Sequence, residues 1–212
     1  MIREIFPVGL LQCNCSVFAD STTREAVVID PGDGLDDMAH LQSVLARHNL
    51  KVSAIVITHA HIDHIGAAAK LKKSTGAPVY MNPADQDLYS NLDWQANWLG
   101  MKSPETTEID APARDGDTLK IGSTDLHLIH TPGHTQGSLC VYAQSENILA
   151  AGDTLFRDSI GRTDLPGGDP RQILRSIHNR LLTLPPETEV ICGHGPSTTI
   201  GRERERNPFL QT

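Results

Sequence analysis

The chain has no apolar run near the roughly 20 residues that a membrane helix requires, and its first residues lack the basic start and apolar stretch of a signal peptide, because Arg3, Glu4, Pro7 and Gly9 interrupt them. Basic residues are in deficit: 18 Lys and Arg stand against 26 Asp and Glu, a net charge of −8. Such a surface is a poor generic partner for nucleic acid or anionic lipid, so neither is expected as a partner. Cysteines number only four. Cys13 and Cys15 form a C-x-C pair, but Cys140 and Cys192 stand alone, so no second pair completes a four-sulfur metal site. Reduced, buried thiols in a cytoplasmic protein are expected. Internal repeats and low-complexity tracts are absent, and no linker suggests a boundary. The 212 residues therefore read as one domain with a sizeable core.

What the chain does have is histidine. There are ten, and three fall within the six residues from His59 to His64. The stretch Thr58-His59-Ala60-His61-Ile62-Asp63-His64 reads H-x-H-x-D-H, a pattern that chance would give about twice in a thousand chains of this composition. Helical ligands share a face at i, i+3 or i+4. The spacing here suits an irregular turn at a strand end instead, and Val52 to Thr58 is a short β-branched run leading into it.

Strands are expected at Ile2 to Val8, Asn14 to Ala19 and Glu25 to Ile29, with a helix from about Leu35 to Arg47. A helix from about Ile65 to Lys73 stops at Gly76, and Pro78 to Met81 is a strand. Pro83 to Met101 has helical character and carries Trp94 and Trp98. Thr118 to Ile121 and Asp125 to Ile129 form a hairpin, followed by a pair at Leu139 to Tyr142 and Ile148 to Ala151. A loop from Ser159 to Pro170, a helix from Arg171 to Leu182, a strand from Glu189 to Cys192 and a charged, solvated helical tail complete the chain. Two central sheets covered by helices on both outer faces satisfy this order.

Three later residues share the context of the histidine cluster. His134 in Thr-Pro-Gly-His, Asp153 in Ala-Gly-Asp and His194 in Gly-His-Gly each follow a β run and have a glycine neighbour. Seven candidate ligands exceed one four-coordinate ion. If Asp153 bridges two, one ion has His59, His61, His134 and Asp153, and the other has Asp63, His64, His194 and Asp153, with room for a bridging hydroxide. His40, His48, His127, His130 and His178 read as structural or surface residues.

Thr58 to His64 with Gly66, Thr131 to His134 with Gly137, Gly152 to Phe156, and Gly193 to Gly195 resemble, in order, the motifs of the metallo-β-lactamase-fold hydrolases, and within them the glyoxalase II-like branch. The resemblance implies an α/β fold, a four-layer αββα sandwich, with a dinuclear site at one edge and the two ligand sets given above. Asp63 would also orient the nucleophile. The implied activity is hydrolysis of S-lactoylglutathione-type thioesters, a small-molecule substrate, by a metal-bridging hydroxide. Zinc, iron and manganese all suit imidazole and carboxylate ligands. The β-lactamases of the fold typically lack the bridging aspartate and place a cysteine on the second metal, and Asp153 argues against them.

The chain departs from full-length glyoxalase II. Only 18 residues follow His194, so the helical glutathione-binding domain is not expected. Gly161-Arg162-Thr163-Asp164 replaces that family's Gly-Lys-Phe-Tyr segment. Arg162 could hold a substrate carboxylate, or pair with Asp164 or Asp158. The rival branch is the persulfide dioxygenases, which share the Gly-Arg-Thr-Asp segment and use one iron, here on His59, His61, His134 and Asp153. Lactonases and other esterases share the fold as well. A non-catalytic, metal-stabilised binding protein would need fully enclosed ions, whereas seven ligands for two ions leave positions open.

Overall fold

A computed structural model describes residues 1–33 and 38–211. The start of the helix expected from Leu35 lies outside the described residues; from Met38 to Arg47 it is helical, as α1.

Two six-stranded sheets face each other. In the first, β1 (Ile2–Val8), β2 (Cys13–Ala19) and β3 (Glu25–Ile29) run antiparallel. Then β4 (Lys51–Val56), β5 (Val79–Met81) and β6 (Ala111–Pro112) follow in parallel. The second begins with the antiparallel strands β7 (Thr118–Ile121), β8 (Thr124–His130), β9 (Leu139–Ala143) and β10 (Ile148–Ala150). A small ribbon of β11 (Leu155–Phe156) and β12 (Ser159–Ile160) comes next, so the expected loop begins with a strand. Then β13 (Glu189–Ile191) joins β10 in parallel, and β14 (Thr198–Thr199) joins β13 antiparallel.

Both faces of the central strands are apolar, and period-2 alternation sorts them. Phe18, Val27, Ile29 and Val56 point inward against Leu126, Leu128, Val141 and Ile191 of the other sheet. Their chain neighbours Val17, Val28 and Ile55 point outward, under Leu41 and Val44 of α1. The same outer layer includes α2 (Ile62–Ile65), α3 (Ala68–Thr75) and α5 (Leu92–Leu99), with α4 (Gln86–Ser90) preceding α5. On the second sheet, Cys140, Tyr142, Leu149 and Val190 meet Ile173 of α6 (Pro170–Ser176), the wide helical turn Ile177–Leu181, and Ile200 of α7 (Ile200–Arg206). The result is the expected αββα sandwich. Among the described residues, no helix is long and apolar enough to cross a membrane.

Two expectations change. The helix expected over Ile65 to Lys73 is two helices, α2 and α3, broken at Gly66–Ala67; the second does end at Gly76, with φ 72°. The charged tail is not solvated throughout. Glu203 is fully buried and accepts from Thr198 Oγ1 at 2.5 Å, Arg202 at 2.6 Å, the Asp158 amide at 2.8 Å and Asn207 Nδ2 at 2.9 Å. A sequence of alternating charges does not reveal that one member turns inward to collect four donors.

Removing such a hub leaves buried donors without an acceptor. Glu203→Ala is expected to lower the unfolding free energy by about 3 kcal/mol in urea denaturation, whereas the exposed Glu205→Ala should stay within about 0.5 kcal/mol.

Candidate metal centre

Strands β8, β10 and β13 run in the same direction, so the segments after them, carrying His134, Asp153 and His194, emerge at one edge of the second sheet. The end of β4 reaches that edge from the first sheet. The Leu139 amide donates to the Thr58 carbonyl at 2.9 Å, and the Asn14 amide to the Gly193 carbonyl at 2.7 Å, so both sheets are tied together there. Glycine allows the approach. Gly152 has φ 48°, and a Cβ on it would strike the Thr58 side chain; one on Gly193 would overlap Asp153 Oδ1.

All seven candidate ligands come together. His59 Nε2 and His134 Nε2 each lie 3.0 Å from His61 Nδ1. His194 Nε2 lies 3.3 Å from His64 Nε2 and 3.1 Å from Asp63 Oδ2. Asp153 stands between the two sets, with Oδ2 3.6 Å from His134 and 3.7 Å from His194, and Oδ1 3.4 Å from His64. The local form differs from the expected irregular turn: His59 and His61 lie in the turn after β4, while Asp63 and His64 are on the single helical turn of α2.

Far-side hydrogen bonds fix which ring nitrogen carries the proton. His64 Nδ1 donates to Asp30 Oδ2 at 2.8 Å, His134 Nδ1 to the Arg162 carbonyl at 2.7 Å, and His194 Nδ1 to the Leu11 carbonyl at 2.9 Å. His59 Nδ1 lies 3.1 Å from Thr58 Oγ1, whose own proton goes to Asp30 Oδ2 at 2.6 Å. Four Nε2 atoms therefore face the centre, each able to hold a cation in place of a proton. Burial holds His59 far below the usual imidazole range. Burial brings His61 to about 3, so both rings are neutral. For Asp63, burial is outweighed by His64 and His194, and it stays ionised. His64 is driven the other way. Despite burial, the surrounding carboxylates of Asp63, Asp153 and Asp30 push it well above its ordinary value, so the pocket draws positive charge.

The donor set fits divalent cations. Asp153 Oδ1 is buried with no hydrogen-bond donor. The donor-to-donor distances of 3.0–3.7 Å bracket the about 3.3 Å edge of a tetrahedron with 2.0–2.1 Å metal–nitrogen bonds. Cys13 Sγ lies 3.4 Å from the far nitrogen of His64, and burial pushes its thiol up to about 12, so it remains a thiol; all four cysteines are buried and none forms a disulfide. Arg162 reaches the cavity wall, with its guanidinium bidentate to Asp164 at 2.8 and 2.7 Å.

Sequence reasoning missed the residues behind the candidate ligands. Asp30 stood in Asp-Pro-Gly, legible as a chain break, yet its carboxylate also accepts the Thr58 amide at 2.8 Å. Buried Asp85 accepts the Ala60 amide at 2.9 Å, Thr135 Oγ1 at 2.9 Å and the Gly137 amide at 2.6 Å, joining the loops of His61 and His134. Gln95 of α5 accepts the Ile62 amide at 2.9 Å. No local pattern marks them, because each acts across 25 residues or more. Asp30→Asn is expected to weaken zinc binding by roughly 10–100-fold in chelator competition while every ligand is retained.

Known proteins resemble this chain. Hydroxyacylglutathione hydrolase GloC of Haemophilus influenzae (strain ATCC 51907 / DSM 11121 / KW20 / Rd) is 36% identical, over 99% of this chain and 98% of its own. Among solved structures, TTHA1623 in a di-iron-bound form is 39% identical with a TM-score of 0.88, over 98% of this chain and 100% of that one. BLEG-1, titled a B3 metallo-beta-lactamase, is 39% identical with a TM-score of 0.87 over the whole of both chains. ETHE1 from Myxococcus xanthus is 27% identical with a TM-score of 0.82, covering 98% of this chain and 84% of that one. The model of the metallo-beta-lactamase superfamily matches residues 8–194, and the chain belongs to that superfamily.

Proposed function

We propose that the chain is a thioester hydrolase of the glyoxalase II-like kind, dependent on two divalent cations and acting on S-lactoylglutathione-type thioesters. The observation that carries this reading is the openness of the donor cluster: His61, Asp63, His134, Asp153 and His194 form part of the wall of a cavity of about 390 Å³. A purely structural metal site is closed by its own ligands, whereas a catalytic one leaves room for substrate. GloC supports a glutathione thioester as substrate, and the di-iron form of TTHA1623 supports a pair of cations, with zinc and manganese equally suited to these ligands.

Bound divalent cations supply Lewis acidity toward a thioester carbonyl and bring the pKa of a water toward roughly 7. The chain does the rest. His59, His61 and His134 present one set of donors and Asp63, His64 and His194 the other, with Asp153 shared. Asp63 stays a carboxylate and accepts a hydrogen bond from the attacking water, turning a lone pair toward the substrate. Leu88, Trp94, Leu99 and Leu165 give the cavity above the site an apolar wall. Among the described residues lining the cavity, Arg162 is the one Lys or Arg, available to a substrate carboxylate if Asp164 yields it.

One observation favours a second reading, a persulfide dioxygenase with a single iron. His59, His61 and His134 form one tight group beside Asp153, and Gly161-Arg162-Thr163-Asp164 follows, in a chain resembling ETHE1. A lactonase or esterase would use the same oxygen nucleophile.

Metal-loaded protein should be assayed on S-lactoylglutathione, an acyl-lactone, glutathione persulfide and a β-lactam, with metal analysis of the same sample. The expected result is two cations per chain and thioester turnover that is lost with a chelator. His59→Ala and Asp153→Ala should each reduce turnover at least about a hundredfold. One iron per chain with oxygen uptake on persulfide overturns the proposal, as does β-lactam opening without thioester hydrolysis.

A further inference from the structure

The wall of the cavity is apolar in a way the sandwich does not require. Helix α5 buries Leu92 and Ala96 in the outer core, and Gln95 is held by the Ile62 amide and by the Ala60 and Leu88 carbonyls. This pins α5 against the ligand loop. Its other face carries Trp94 and Trp98, four residues apart, with parallel rings at 1° and centroids 6.3 Å apart. They are 52% and 58% exposed, although large aromatics are normally covered. Both line the same cavity as His61, Asp63, His134 and Asp153, together with Leu11, Leu88 and Leu165.

Charge is distributed in the opposite sense from what glutathione would need. A glutathione thioester brings two carboxylates. The only guanidinium on this wall, among the described residues, is Arg162, and it already holds Asp164. The adjoining cavity of about 500 Å³ beyond Leu88, Trp94 and Pro166 has Asp85, Asp87, Asn91 and Gln136 on its wall and no Lys or Arg among the described lining residues. The chain as a whole carries −8.

We propose that this site selects its substrate by an apolar, preferentially aromatic, acyl group laid against the Trp94–Trp98 wall, with the thiol half contributing little to selection. This rests on the thioester-hydrolase reading above. The carbonyl sits at the floor, beside His61, Asp63 and Asp153, and the acyl substituent runs up the indole wall. Hydrolysis adds water across the C–S bond: the acyl carbon gains the hydroxyl, the thiol sulfur gains the proton, and an acid and a thiol leave.

The test compares S-mandeloylglutathione with S-lactoylglutathione, which differ by phenyl for methyl, and repeats the pair on N-acetylcysteamine, which lacks the glutathione carboxylates. The expected kcat/KM for mandeloyl exceeds that for lactoyl at least about tenfold on either thiol, since even one methylene in an apolar pocket gives that order of discrimination. In Trp94→Ala/Trp98→Ala the ratio should fall to near one, while Trp94→Phe/Trp98→Phe should keep most of it; metal content and Tm check that both variants fold. A turnover-free readout is available, because these are the two tryptophans of the whole chain. Indole fluorescence in the wild type should respond to S-phenacylglutathione, an uncleavable aromatic thioether, and much less to S-acetonylglutathione. Thioester turnover with an acyl ratio near one, or a ratio unchanged in the alanine variant, overturns this inference and leaves the hydrolase reading standing. Turnover of none of the four thioesters overturns both.

Discussion

Mutual repulsion among electron-rich atoms is the constraint that the rest of the molecule answers. Four imidazole Nε2 atoms, the Nδ1 of His61 and the carboxylates of Asp63 and Asp153 lie within hydrogen-bonding distance or slightly beyond. Left to itself, such a group would separate or fill with protons, and the upward pull on His64 is that tendency expressed at one ring. The fold holds the group together from behind. Each far-side nitrogen of His59, His64, His134 and His194 is engaged by a hydroxyl, a carboxylate or a carbonyl, and these partners belong to segments the two sheets bring to one edge.

The αββα sandwich suits this task because its strands are buried on both faces. Residues such as Phe18 and Val56 lock one sheet onto the other, while Val17 and Ile55 lock the same strands under helices. A strand fixed on both sides cannot slide, so the loop that leaves its end starts from a fixed point. Buried Asp30 and Asp85 then convert fixed strand ends into fixed side chains: Asp30 holds Thr58 and His64 of the histidine segment, and Asp85 ties Ala60 of that segment to Thr135 and Gly137. An open cavity above such a rigid floor is consistent with catalysis, and its apolar wall on α5 gives the site a second character: polar and cation-demanding below, aromatic above.

Much of this was legible in the primary structure. The short β-branched runs and the helical spacings give the layers, because both are local properties. The H-x-H-x-D-H stretch and the Gly-flanked His134, Asp153 and His194 announce themselves through composition and turn chemistry. The resemblance to metallo-β-lactamase-fold hydrolases ties them to one site. Short pairings such as β11–β12 escaped, being two residues long with no periodicity to detect. So did the inward turn of Glu203, which looks locally like any charged helix face.

The amino-acid sequence by itself determined the strands and helices of the layers and marked the seven candidate side chains, since each mark lies within a few residues, and the family resemblance joined those seven into one site. Only the tertiary structure decided that Asp30 and Asp85 stand behind those side chains, that Arg162 is already engaged by Asp164, and that Trp94 and Trp98 face the cavity rather than the core. These are relations between distant segments, and pairing across the sandwich, not local propensity, sets which distant groups share a hydrogen bond or a wall.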